Sequence, residues 1–225
     1  MTVNICLLVP INIEGLRKIE SVSGLAPPGV SIIVRHLDHT GPTPDGFIDD
    51  LGATQEMVRL APELQRGGID AIVIDCMGDT GLDEVRKSVT IPVLGPSQTA
   101  MHFAAMLSRR YSIISPLAEH YDQFHALAVR YNVDHKIGPA QVIGVPVLEG
   151  ADKPDLVKRK AVEAAGRAIS EDGAEAVILG CTLMSGMAPS IKASLEQEGH
   201  RGVRIIDPID LAISTANSLV HCALD

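Results

Sequence analysis

Short runs of Val, Ile and Leu alternate along this chain with longer stretches in which apolar residues return every three or four positions. Runs of four to seven β-branched or aliphatic residues read as strands buried on both faces, and the intervening stretches as amphipathic helices. In the first half the pattern predicts strands at Val3 to Val9, Val30 to His36, Ala71 to Asp75 and Ile91 to Gly95, with helices over 52–66, 80–88 and 97–109. In the second half it predicts strands at Tyr111 to Ser115, Gln141 to Val145, Ala176 to Gly180 and Val203 to Asp207, with helices over 119–131, 154–171, 186–198 and 209–223. Strands alternating with helices make an α/β fold built on mainly parallel sheets.

The order of elements repeats, and the repeat can be counted. Pro10 precedes Cys76 by 66 residues, while Pro116, also just after an apolar strand, precedes Cys181 by 65. Gly68, Asp70, Ala71 and Cys76 match Gly173, Glu175, Ala176 and Cys181 at identical offsets, and Gly95-Pro96 corresponds to Asp207-Pro208. Duplication is the reading these landmarks favour over chance agreement between ordinary strand starts. The expected architecture is therefore two similar lobes, each a mainly parallel sheet flanked by helices, related by a pseudo-two-fold with the active site between them. Residues 1–96 plus 209–225 are assigned to the first lobe and 97–208 to the second.

Each half then places one thiol in the same way, in IDCMGDTGL and in LGCTLMSGM. Ligands of open parallel sheets bind beyond the carboxyl ends of the strands, where Cys76 and Cys181 are both expected. Neighbouring amides and the positive end of a following helix favour a thiolate there. Two equivalent thiols facing each other across a small molecule suit inversion at carbon: one takes a proton from one face and the other returns a proton to the opposite face. Such a pair needs no cofactor. The amides after Cys76 and Cys181 and the hydroxyl of Thr182 are candidate donors to the enolate-like charge. Gly78 and Asp79 are read both as a turn capping the following helix and as substrate contacts, and so is Ser115 at the counterpart of Val9. Cys6 and Cys222 have no matching partners and are expected to be small core residues.

Composition narrows the function further. A formal charge of −9 with scattered Lys and Arg argues against nucleic acid as a partner. Three Tyr, three Phe and no Trp leave little to stack bases on or to build an aromatic cage. The expected partners are a small polar substrate and further copies of the chain. No apolar run approaches the roughly 20 residues of a membrane span, and MTVNICLLVP lacks the basic start of a secretory signal, so a cytoplasmic protein with reduced thiols is expected. Neither GxxxxGK[ST] nor GxGxxG occurs, so no nucleotide cofactor is indicated. His36 and His39 in RHLDHTGP lack the further ligands zinc requires and are read as a solvated loop rather than a metal site. His120 and His125, five residues apart, are read as helix-surface residues.

IDCMGDTGL followed by IPVLGPSQTAMHFA, with LGCTLMSGM later, resembles the aspartate/glutamate/hydantoin racemase superfamily, and most closely its hydantoin racemase branch, over nearly the whole chain. The resemblance implies cofactor-independent, two-base racemisation with Cys76 and Cys181 as the bases, acting on 5-substituted hydantoins or a related ureide. It also implies a substrate contact at Asn12, although the loop here is Val9-Pro10-Ile11-Asn12 where the branch often carries an Asn-Pro-Asn-Thr-like sequence. Cys181-Thr182 is not followed by the histidine that glutamate racemases place next, which points away from glutamate. Thr80 stands where the branch has Pro in Gly-Asp-Pro-Gly, and Leu183 interrupts the Gly-Met spacing. An amino-acid racemase of the aspartate/glutamate type, a sibling isomerase or decarboxylase, and a non-catalytic or redox-sensing binding protein remain as alternatives.

Overall fold

The computed structural model describes residues 2–11, 17–38 and 51–222. The chain divides into two compact units, one of residues 1–99 and 209–225 and the other of residues 100–208.

In the first unit, β1 (Val3–Val9), β2 (Val30–His36), β3 (Ala71–Ile74) and β4 (Val93–Leu94) form an all-parallel sheet in the order β2-β1-β3-β4. Alternate residues of a strand point to opposite faces, so the two central strands supply two cores at once. Cys6, Leu8, Ile72 and Ile74 pack with Ala53, Met57, Leu60 and Ala61 of α1 (Leu51–Arg66) and with Leu82 and Val85 of α2 (Leu82–Ser88). Val3, Ile5, Leu7, Ala71 and Val73 pack instead with Ile209, Ala212, Ile213 and Ala216, which belong to the chain's last helix.

The second unit uses the same order. β5 (Tyr111–Ser115), β6 (Gln141–Val142), β7 (Ala176–Leu179) and β8 (Arg204–Ile206) run parallel as β6-β5-β7-β8. Ile114, Val177 and Leu179 share a core with α6 (Pro154–Ser170), through Ala161, Ala164, Ala165 and Ala168, and with α7 (Ala188–Gln197), through Ile191 and Leu195. The alanine stripe lets α6 approach the sheet closely. The chain enters this unit along α3 (Pro96–Leu107) and leaves it at α8 (Pro208–His221); α4 (His120–Arg130) and the short α5 (Val147–Ala151) complete it.

Several boundaries differ from the periodicity. The strands expected at Ile91 to Gly95 and Gln141 to Val145 shorten to two residues each, since only those residues find ladder partners. The helix Val147–Ala151, with Gly150 inside it, was not expected. No helix among the described residues is long and apolar enough to cross a membrane.

Cys6 is fully buried within β1, and burial pushes its thiol up to about 12 from 9.0, with Arg35 pulling the other way. Its folded pKa thus lies above the unfolded one. The stability this supplies is whole below about pH 9 and is lost as pH rises toward 12, on the order of 4 kcal/mol across that window. Stability measured by denaturant from pH 8 to 11 should therefore fall more steeply for the native chain than for Cys6→Ala; equal slopes would show that folding does not raise the Cys6 thiol. Cys222, expected in the core, is exposed just beyond α8.

Candidate active site

Cys76 and Cys181 follow β3 and β7 at the carboxyl ends of the two sheets, and both are partly accessible, unlike Cys6. Their loops are built alike. The residue before each cysteine hands its amide to the central strand: Asp75 N–H donates to Leu8 O at 2.9 Å, and Gly180 N–H to Ile114 O at 2.8 Å. The residue three positions after each cysteine closes a turn onto the cysteine carbonyl, Asp79 N–H to Cys76 O and Met184 N–H to Cys181 O, each at 3.0 Å. Two residues later, each loop is released by a glycine in the left-handed region, Gly81 with φ 64° and Gly186 with φ 84°.

Donors converge on the Cys76 sulfur. The Gly78 N–H lies 3.4 Å from Sγ and the Thr80 hydroxyl 3.6 Å. Both favour negative charge on the sulfur by hydrogen bonding to it. Thr80, which stands where the branch has proline, thus brings to the sulfur a hydroxyl that proline lacks.

Asp79 has another task. Its backbone is left-handed, φ 49°, and the residue is 2 % exposed. The carboxylate accepts the amides of Ser97, at 3.0 Å, and Gln98, at 2.8 Å, while the Ser97 hydroxyl donates to Met77 O at 2.5 Å. Asp79 therefore caps α3 rather than the helix that follows it in sequence, and ties the Cys76 loop to that helix. A Cβ on Gly95 would stand 2.4 Å from the Asp79 carboxyl carbon, which is why glycine sits there. In the second unit the tie runs the other way: Asp207, at the position of Gly95, accepts the amide of Gly186 at 2.6 Å.

A buried ion pair lies directly beside Cys76. Arg17 meets Asp75 through Nε at 2.5 Å and a terminal nitrogen at 2.9 Å, with side chains 3 % and 1 % exposed. His36, placed as expected at the end of β2, is half-buried rather than part of a solvated loop, its Nε2 3.0 Å from the Arg17 carbonyl. Asn12 and His39 fall outside the described residues. Among the described residues no group of three or more His, Cys, Asp and Glu could hold a metal.

In the second unit, Ser115 ends β5 fully buried. Its hydroxyl donates to Leu117 O at 2.7 Å and so accepts from His120 Nδ1, 3.2 Å away. His120 is not the surface residue expected from its spacing: it is 4 % exposed, at the start of α4, and turned back toward the sheet. His125 is exposed as expected. Thr182 opens a 3-10 turn, Thr182–Met184, immediately after Cys181 and is half-buried. Cys181 also borders a pocket, together with Pro116, residues from the β6–α5 connection, Val157 of α6 and the three residues Leu183, Met184 and Met187.

The chain is similar to known proteins over most of its length. The chain is 30 % identical to the hydantoin racemase of Paenarthrobacter aurescens over 177 residues, 78 % of this chain and 72 % of that one. It is 30 % identical to the hydantoin racemase of Rhizobium meliloti over 190 residues, 82 % and 76 % of the two chains. Among solved structures, allantoin racemase from Klebsiella pneumoniae matches with a TM-score of 0.87 and 28 % identity, covering 99 % of this chain and 89 % of the other. Fold and relatives together define an isomerase of the racemase class. The chain belongs to the Asp/Glu/Hydantoin racemase family, whose pattern matches residues 16–216.

Proposed function

We propose that this protein racemises 5-substituted hydantoins or closely related cyclic ureides by a two-base mechanism in which Cys76 and Cys181 are the bases. The observation that carries the reading is the equivalence of the two cysteine loops: the same amide brace to the central strand, the same turn onto the cysteine carbonyl and the same left-handed glycine. The relatives named as hydantoin and allantoin racemases supply the substrate class.

In this mechanism one cysteine, as thiolate, takes the hydrogen from C5 of the ring. The electron pair passes into the adjacent carbonyl as an enolate. The other cysteine, as thiol, delivers its proton to the opposite face, and the two sulfurs leave with their protonation states exchanged. The opposite enantiomer runs the sequence in reverse. The Gly78 amide and Thr80 hydroxyl hold the Cys76 thiolate, while the amides following Cys181 and the Thr182 hydroxyl are the proposed donors to the substrate. Asp79, whose carboxylate caps α3, and Ser115, whose hydroxyl is engaged by Leu117 O and His120, are revised from substrate contacts to positioning residues. Asn12 remains a proposed contact on the strength of the resemblance.

Because the thiols perform both proton transfers, racemisation of single hydantoin enantiomers, followed by circular dichroism, is expected to proceed in the presence of chelator and without added pyridoxal phosphate or nucleotide. Loss of activity on metal removal, restored by metal, would overturn the mechanism.

A further inference from the structure

We infer that the two thiols are unequal acids: Cys76 is the one ionised in the resting enzyme, and Thr80 is the positioning residue that makes it so. The inference rests on the racemase reading above and adds to it the order in which the pair loses its protons and the group that sets that order.

Both loops carry a hydroxyl four residues after the cysteine, Thr80 after Cys76 and Ser185 after Cys181, and in both the next residue is the left-handed glycine. A hydroxyl has one proton to give. Thr80 gives it to the Cys76 sulfur, 3.6 Å away. Ser185 gives it to the carbonyl of Thr182, at the end of the 3-10 turn that follows Cys181, and has none left for the sulfur. The backbones of the two loops are alike, and what their hydroxyls do is not.

The fold holds Thr80 to this task. Asp79 and Gly81, on either side of it, are both left-handed, with φ 49° and 64°. The Asp79 carboxylate is fixed on the amides of Ser97 and Gln98, and a Cβ on Gly81 would stand 2.9 Å from Thr54 Oγ1. Thr80 itself is 6 % exposed, so its hydroxyl is largely shielded from water. A donor placed in this way favours the thiolate over the thiol and makes Cys76 the stronger acid. The charged groups of the Cys76 loop are engaged elsewhere: Asp75 with Arg17, whose carbonyl meets His36 of β2, and Asp79 with α3. From α1 and α2, Met57, Leu82 and Val85 join the core on which this cysteine packs. In the second unit Asp207 is engaged by the Gly186 amide and His120 by Ser115, while α6 and α7 bring Val157 and Ile191 to the core beside Cys181. The enantiomer whose hydrogen Cys76 removes thus meets an enzyme already in the required state, and its mirror image needs the charge moved to Cys181 first.

The test follows alkylation of the intact protein by iodoacetamide from pH 5 to 10, with initial rates resolved for each cysteine by peptide mass spectrometry. Cys76 should become reactive about one pH unit below Cys181. Thr80→Val should raise the Cys76 midpoint by about one unit and carry the acid limb of kcat/KM for 5-methylhydantoin upward with it. Thr80→Ser, which keeps the hydroxyl, should restore both, and Ser185→Ala should leave the Cys181 midpoint in place. Equal midpoints in the wild type, Cys181 ionising first, or a folded Thr80→Val with its Cys76 midpoint unmoved would overturn the inference, and the first two outcomes need no variant. Wild-type inactivity on hydantoins would overturn the racemase reading instead, while the order of ionisation, measured without substrate, would still stand or fall by the titration.

Discussion

Cys76→Ser and Cys181→Ser should each lower racemisation by about 10²- to 10⁴-fold, the range that a positioned proton-transfer group contributes. Serine is a far poorer base than a thiolate at neutral pH, so one face of the substrate carbon loses its partner. The surviving cysteine keeps its own face. Each variant is therefore expected to exchange the C5 hydrogen for deuterium in one enantiomer with retention of configuration, and the two variants should prefer opposite enantiomers. Proton NMR in heavy water, alongside polarimetry, separates exchange from inversion once the uncatalysed exchange of the hydantoin has been subtracted. A single variant that still racemised at the wild-type rate would sink the two-cysteine mechanism. A non-catalytic, redox-sensing protein would show neither activity.

Arg17→Met is expected to be the most destabilising single change near the site, by about 3–5 kcal/mol, because it strands a buried carboxylate. The Arg17–Asp75 pair is bidentate, with side chains 3 % and 1 % exposed, so solvent cannot replace the lost partner. Removing both charges, as in Arg17→Met with Asp75→Leu, should recover much of the loss, since a buried pair replaced by apolar groups of similar volume is often nearly neutral. Denaturant unfolding of the single and double variants measures both. The single variant should also lose activity beyond its loss of folded protein, because Asp75 is bonded to Cys76 along the chain and an unpaired carboxylate opposes charge on the neighbouring sulfur. Equal stability of wild type and Arg17→Met would show the pair to be dispensable.

The Arg17–Asp75 pair also marks the limit of what the amino-acid pattern revealed. Strands β1, β2 and β5 were legible to the residue: β1 and β5 are almost wholly buried and rich in aliphatic residues, and β2, an edge strand with no buried residue, still carries the run Ile32-Ile33-Val34. The two cysteines were legible because duplication repeats their spacing. A partner 58 residues away has no such signature: an acidic residue before Cys76 demands a counter-ion, but nothing along the chain says that Arg17 supplies it. His120 was misread for a related reason. Its spacing from His125 describes only the helix, whereas its burial comes from Ser115 at the end of a strand that the helix covers. Asp79 was legible as a cap, but the helix it caps begins beyond the next strand.

The opposed carboxylate ties of the two units bear on how far the halves can be interchanged. In the first, Asp79 reaches from the cysteine loop to α3 and requires glycine at position 95; in the second, Asp207 occupies that position and reaches back to Gly186, with Met184 standing where the first unit has Asp79. Grafting the Cys76 loop onto the second unit would bring two anions to one anchorage, and the reciprocal graft would leave the first unit with none. Each half is locked by a pair of residues that must change together. Shuffling segments between the halves, a natural route for engineering new racemases, is therefore open only to exchanges that carry position 79 or 184 together with position 95 or 207.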